Sequence, residues 1–179
     1  HLKKTMKKIT LFALLATSCL TLTFCDPKTE TKSVEAPAGM VPLDLSKYGK
    51  QFSIFVPDTV NSKLEVVEQS WGALEIKVGK GFQISISEDA GDIELMKSDI
   101  KSNDVNIFKS YIVDEPQTIM WESEITKPEF HFYTIQKASG SNYVIQDIIS
   151  TSGEPFTKDQ VQKMLDSAKQ LVEKQKPNA

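Results

Sequence analysis

From Val41 to about Ile149 the chain alternates apolar and polar residues with a period of two, and this pattern limits the fold more than any other feature. Side chains point to opposite sides along a strand, so each such segment carries one apolar face that has to be buried. Phe52, Ile54 and Val56 share a face before Pro57 and Asp58 stop the segment. Leu64 with Val66, then Leu74, Ile76 and Val78, then Phe82, Ile84 and Ile86 repeat the arrangement. Gly79-Lys80-Gly81 joins the last two as a hairpin loop, because glycine takes positive φ without a steric penalty. The spacing of these glycines is too short for a nucleotide-binding loop. Four further strands are expected over about Phe108–Asp114, Thr118–Glu124, Glu129–Lys137 and Asn142–Ile149, separated by Glu115-Pro116, Lys127-Pro128 and Gly140 among its serines.

Two segments switch to helical spacing. Ile93, Met96 and Ile100 follow a group of acids suited to an N-cap and first turn, which predicts a helix from Asp92 to about Ser102. Thr157 and Gln160 form a capping box, Phe156 and Val161 a hydrophobic staple, and Val161, Met164, Leu165, Ala168, Leu171 and Val172 a continuous apolar stripe. With 179 residues, 40% hydrophobic and 25% charged, there is room for one ordinary domain. The expectation is a single α+β domain over residues 41–179, with an antiparallel sheet of about seven or eight strands covered by two helices. A strand "QFSIFVPD" near the start and a helix packing back at the end make residues Pro42 to Val172 resemble the PsbP-like α+β fold. That resemblance implies binding to partner proteins and no particular reaction.

Upstream, the pattern is of another kind. Lys3, Lys4, Lys7 and Lys8 precede an apolar stretch from Ile9 to Phe24, which is shorter than the roughly 20 residues of a membrane span. His1 is not an initiator residue, so Met6 is the expected true start and residues 1–24 read as an export signal. The stretch stops at Cys25 and turns at once into "DPKTETKS". Ala36-Pro37-Ala38 lies too far downstream for ordinary signal cleavage, and the junction instead resembles the bacterial lipoprotein signal, in which a diacylglyceryl group is attached to a cysteine. Leu22 and Thr23 fit that pattern, whereas the bulky Phe24 departs from it.

Cys19, preceded by Ala16, Thr17 and Ser18, is the alternative acceptor. Modifying Cys19 would leave Leu20 to Phe24 as an apolar stub, while Cys25 leads directly into a hydrophilic segment. A Cys19–Cys25 disulfide and an uncleaved anchor remain as further alternatives. Residues 25–40 then comprise the lipidated cysteine and a flexible tether with Pro27 and Pro37, whose typical span is roughly 20 Å and whose full reach is about 50 Å. The segment "VPLDLSKYG" also looks like small bacterial lipoproteins of unassigned function. The expected setting is the bacterial cell envelope, periplasmic or surface-facing, with the membrane as one partner through the lipid and an envelope protein or small ligand as another.

Composition narrows the partners further. All 21 basic residues are lysines, so the planar guanidinium fork that reads phosphate and guanine is missing. After Cys25 there are 17 lysines against 24 acids, a formal charge of about −7, which disfavours nucleic acid.

No catalytic set emerges. His131 lies between Phe130 and Phe132 and reads as a sheet residue; Gly-x-Ser-x-Gly is missing, and no cofactor or metal is expected. Glu88, Asp89, Asp92 and Glu94 surround Gly91 without the spacing of a calcium loop, and helix capping accounts for them. Asp114, Glu115, Glu122 and Glu124 flank a turn that would bring carboxylates together in an envelope hydrolase, with Glu122 and Glu124 on one face as its candidates. Trp121, Phe130, Phe132 and Tyr143 read as alternating core residues. Trp71, in "QSWG", is the candidate for an exposed binding role. The protein is thus expected to be a non-enzymatic binding or accessory module, with the carboxylate hydrolase and a purely structural lipoprotein as alternatives.

Overall fold

The computed structural model describes residues 35–150 and 152–174. The signal segment, Met6, Cys19, Cys25 and the tether as far as residue 34 lie outside the described residues. Ten strands and two helices follow: β1 (Met40–Asp44), β2 (Phe52–Pro57), β3 (Leu64–Glu68), β4 (Leu74–Val78), β5 (Phe82–Glu88), α1 (Ile93–Ser102), β6 (Ile107–Glu115), β7 (Thr118–Glu124), β8 (Pro128–Ala138), β9 (Ser141–Asp147), α2 (Lys158–Ala168) and β10 (Val172–Glu173). The fold is α+β with entirely antiparallel pairing, as the alternation predicts.

The strands divide into two sheets where one was expected. A seven-stranded sheet has the order β3-β4-β5-β9-β8-β7-β6, and β2 leaves it to form a three-stranded sheet, β1-β2-β10. Strand β1 begins at Met40, the last residue assigned to the tether, and Met40 pairs with Pro57. Strand β10 corrects the predicted C-terminal helix, which ends at Ala168 instead of running on to Val172. Val172 pairs with Ser53 and Glu173 with Phe52, so a valine that suits a helical stripe completes the edge of β2. Its β-branched side chain favours that choice.

The two helices cover opposite faces of the large sheet. Leu74, Ile76, Val78, Phe82, Ile84, Ile86, Met120, Phe132, Tyr143 and Ile145 point to the face packed by α2 and the small sheet. Phe52 of β2 meets Tyr143 edge-on at 4.9 Å, and the buried Ser167 hydroxyl of α2 donates to the Phe55 carbonyl. Ile119, Tyr133, Ile135 and Val144 point the other way, to Ile93 and Ile100 of α1. Strands β7, β8 and β9 are therefore buried on both sides, and their apolar residues fall at odd and even positions alike. Trp121 is consequently not on the Phe132 face: it pairs with His131 and packs under α1.

The caps match the sequence. Asp92 Oδ1 accepts from the Leu95 amide at the start of α1, and both halves of the Thr157–Gln160 capping box are formed at the start of α2. Gly79, at φ +58°, opens the three-residue turn that sets Val78 opposite Phe82. Gly91 has a tighter constraint. Its φ is +65°, and a Cβ there would stand 2.7 Å from Ile135 and 2.9 Å from Val144. Gly91→Ala should therefore lower stability by about 1–3 kcal/mol, seen as a lower urea midpoint with an unchanged slope.

Candidate functional site

Strand β9 ends in a way that builds a site. Main-chain pairing between β8 and β9 stops at Tyr133 opposite Gln146. One residue further on, Asp147 uses its side chain where the ladder has no carbonyl to offer: Oδ1 accepts from the Phe132 amide at 2.7 Å. Its second oxygen, Oδ2, accepts a hydrogen bond from His131 Nδ1 at 2.8 Å. Only 6% of the Asp147 side chain is exposed. A buried carboxylate of this kind needs both bonds to offset its lost hydration.

His131 is held between two acids. Glu129 Oε2 lies 3.5 Å from Nε2, and Nε2 is buried with no hydrogen-bond partner among the described residues. Burial alone would push the imidazole pKa down; the Asp147 hydrogen bond and charge, with Glu129 behind them, outweigh it and raise the pKa above 6.5. The ring also packs on Trp121, centroid to centroid at 5.4 Å.

This group borders a cleft of about 220 Å³ between the β7–β8 turn and the β9–α2 loop. Phe130, His131 and Asp147 are among its lining residues, Ile148, Ile149 and Phe156 supply apolar surface, and Lys127 pairs with Glu154 at 2.9 Å there. An Asp–His pair beside Ser150 invites comparison with a hydrolytic triad, but that relay needs the imidazole nitrogen remote from the carboxylate to meet a serine hydroxyl. Here Nε2 turns to Glu129, and the Ser150 hydroxyl is bonded to Ser152 at 2.8 Å. What the arrangement does is fix a ring, and with it the end of β8.

The remaining candidate residues are distributed around the domain. Trp71 sits at the tip of the β3–β4 hairpin and is 72% exposed, in a turn closed by the Gly72 amide on the Gln69 carbonyl. It belongs to neither core cluster, and β3 is an edge of the large sheet. The acids around α1 are engaged locally: Asp89 with the Gly91 amide, Asp92 in the cap, Glu88 with Ser141, and Glu94 with Lys97. Among the described residues no three of His, Cys, Asp and Glu are grouped to hold a metal ion. The β6–β7 hairpin places Asp114 and Glu115 at its turn and Glu122 and Glu124 toward its far end, opposite Ser110 and Ile107. Glu124 pairs with Lys109, Asp114 with Lys97 and Glu115 with Lys169. The four carboxylates do not converge.

No family model, curated protein or solved structure matches this chain. The site therefore stands on its geometry. Among the described residues no helix is long and apolar enough to cross a membrane.

Sequence reasoning located His131 but not its partners. Asp147 reads as an ordinary polar residue at a strand end, 16 residues away from the histidine it holds. The available signal is that Glu129 stands near the start of β8 beside Phe130, and Asp147 at the end of β9 before Ile148 and Ile149, so each acid is next to apolar residues.

Two outcomes test this account. Folding raises the His131 pKa, so the stabilisation from its protonated form is complete below about pH 6.5 and is lost as pH climbs through the raised folded value. Unfolding free energy measured by urea titration should fall as pH rises across this window, and His131→Gln should remove that slope. Asp147→Ala, which strips the partner from the Phe132 amide and from Nδ1, should destabilise by about 2–3 kcal/mol in the same assay.

Proposed function

We propose that this protein is a lipid-anchored lipoprotein of the bacterial cell envelope, acting as a non-enzymatic binding or accessory module. The observation that carries the reading is the abrupt change at Cys25, where an apolar stretch behind four lysines gives way to a polar segment. The first strand opens fifteen residues later, at Met40, so a spacer separates the acceptor from the folded domain. A diacylglyceryl group on Cys25 would hold a body of net negative charge at a bilayer whose anionic headgroups would otherwise repel it. Binding in place of catalysis is supported by the inward-turned His131 and by the lysine partners of Asp114, Glu115 and Glu124. Trp71 is the exposed side chain best suited to a partner protein, being aromatic, at a hairpin tip and outside both cores.

The test is expression of the full chain in a bacterial host fed labelled palmitate. The label is expected in the protein, the protein in the membrane fraction, and both are expected to be lost in Cys25→Ala while Cys19→Ala retains them. Retention of label and membrane attachment by Cys25→Ala would overturn the assignment.

A further inference from the structure

The exposed large apolar side chains are unevenly placed. Val60, Val105, Ile107, Ile125 and Ile149 all belong to loops or strand termini at one end of the large sheet, whereas Val67, Trp71 and Leu95 do not. Antiparallel register defines that end: β3, β5, β6 and β8 begin there, and β4, β7 and β9 finish there. Ile107 pairs with Glu124, the residue before Ile125. Ile149 lines the same cleft as Thr126, the residue after Ile125, and Phe130, Ile148 and Pro155 extend the apolar surface of that cleft. Ile149 is 93% exposed and Ile125 51%, so both stand in water in the isolated domain.

The chain enters the fold at this same end. Met40 opens β1 opposite Pro57, the last residue of β2. Pro57 borders a groove together with Ser62, Gly81, Phe82 and Gln160, which places it beside the start of β5 and the first turn of α2. The loop leading into α2 carries Glu154 and Phe156 to the cleft that Ile149 lines. The point where the tether joins the domain and the aliphatic cluster are therefore neighbours around one end of the sheet.

We propose that this end of the domain lies against the lipid bilayer, with Ile125 and Ile149 reaching the boundary between headgroups and acyl chains. A cluster of exposed aliphatic side chains marks a surface that is covered in use, and that boundary is an apolar environment which takes such side chains without needing a shaped pocket. A tether with a typical span of roughly 20 Å keeps its own end of the domain nearest the lipid. Charge favours the same orientation. Glu88, Asp89, Asp92, Glu94, Asp114 and Glu115 lie at the opposite end, at the close of β5, the start of α1 and the β6–β7 turn. Near the cluster, Glu124 is paired with Lys109 and Glu154 with Lys127. Anionic headgroups thus repel the far end of the domain more than this one. A protein partner would be expected to find an aromatic anchor, and the exposed tryptophan, Trp71, is at the other end of β3, where the bilayer leaves it accessible.

This orientation rests on the lipid-anchored reading, and the experiment separates the two. The full chain, processed in a bacterial host, is reconstituted on vesicles of phosphatidylethanolamine with phosphatidylglycerol. With Cys25 acylated and Cys19 removed with the signal, Ile149→Cys or Trp71→Cys supplies the one free thiol for a nitrobenzoxadiazole dye. The Ile149 dye is expected to be quenched by a phospholipid carrying a nitroxide near the top of its acyl chain, and its quenching by aqueous iodide should be about threefold or more weaker than that of the Trp71 dye. Ile125→Glu should return the Ile149 dye to water with an unchanged circular dichroism spectrum, whereas Leu95→Glu, at the other end of the sheet, should leave it in the bilayer. Equal iodide quenching of the two dyes on vesicle-bound protein, or an Ile149 dye indifferent to Ile125→Glu, would overturn the membrane-facing end and leave the anchor standing. Failure of the chain to bind vesicles would overturn both, and dye uptake by the chain without an introduced cysteine would overturn the lipid at Cys25 itself.

Discussion

The structure depends on burying the middle of the large sheet on both faces at once. Strands β7, β8 and β9 place Met120, Phe132 and Ile145 against α2 and the small sheet, and Ile119, Tyr133 and Val144 against α1. A slip of one residue would exchange the two sets, so register here is fixed by two cores simultaneously. At roughly 1.5–3 kcal/mol for each fully buried large side chain, these strands contribute more than any polar contact in the domain. The buried Thr118–Thr134 hydroxyl pair, 2.7 Å apart across β7 and β8, adds a polar check on the same register.

The polar centre follows from that constraint. Once β8 is fixed, Glu129, His131 and Tyr133 all face α1, and the end of β9 delivers Asp147 to the Phe132 amide. His131 thus receives a carboxylate from β9 on one nitrogen and faces another from its own strand on the second. The same register brings Trp121 against the imidazole. The site is therefore a by-product of sheet pairing, with side chains locked by neighbours that also form the core.

Much of this architecture was legible in the residues, and the gaps have physical causes. Single-faced strands such as β4 and β5 announce themselves by clean alternation, and the capping box of α2 by its Thr157–Gln160 spacing. Double-faced strands do not, because apolar residues on both parities conceal which face a given aromatic joins, as with Trp121 under α1. Val172 fitted both a helical stripe and a strand, and only the open edge of β2 decides between them. The bulge near Lys109 has no glycine to mark it. The His131–Asp147 pair is a long-range juxtaposition, invisible until the pairing of strands is known.

The small sheet joins the two ends of the described chain, since β2 is flanked by β1 from the beginning and by β10 from the last turn of sequence. In the large sheet, likewise, β5 finds its outer neighbour only in β9. A polypeptide that emerges amino end first must therefore hold Phe52, Ile54, Ile84 and Ile86 unsheltered until nearly all of it has appeared. Such late closure makes folding slow, exposes sticky edges in the interim and leaves the chain open to chaperone capture throughout its synthesis.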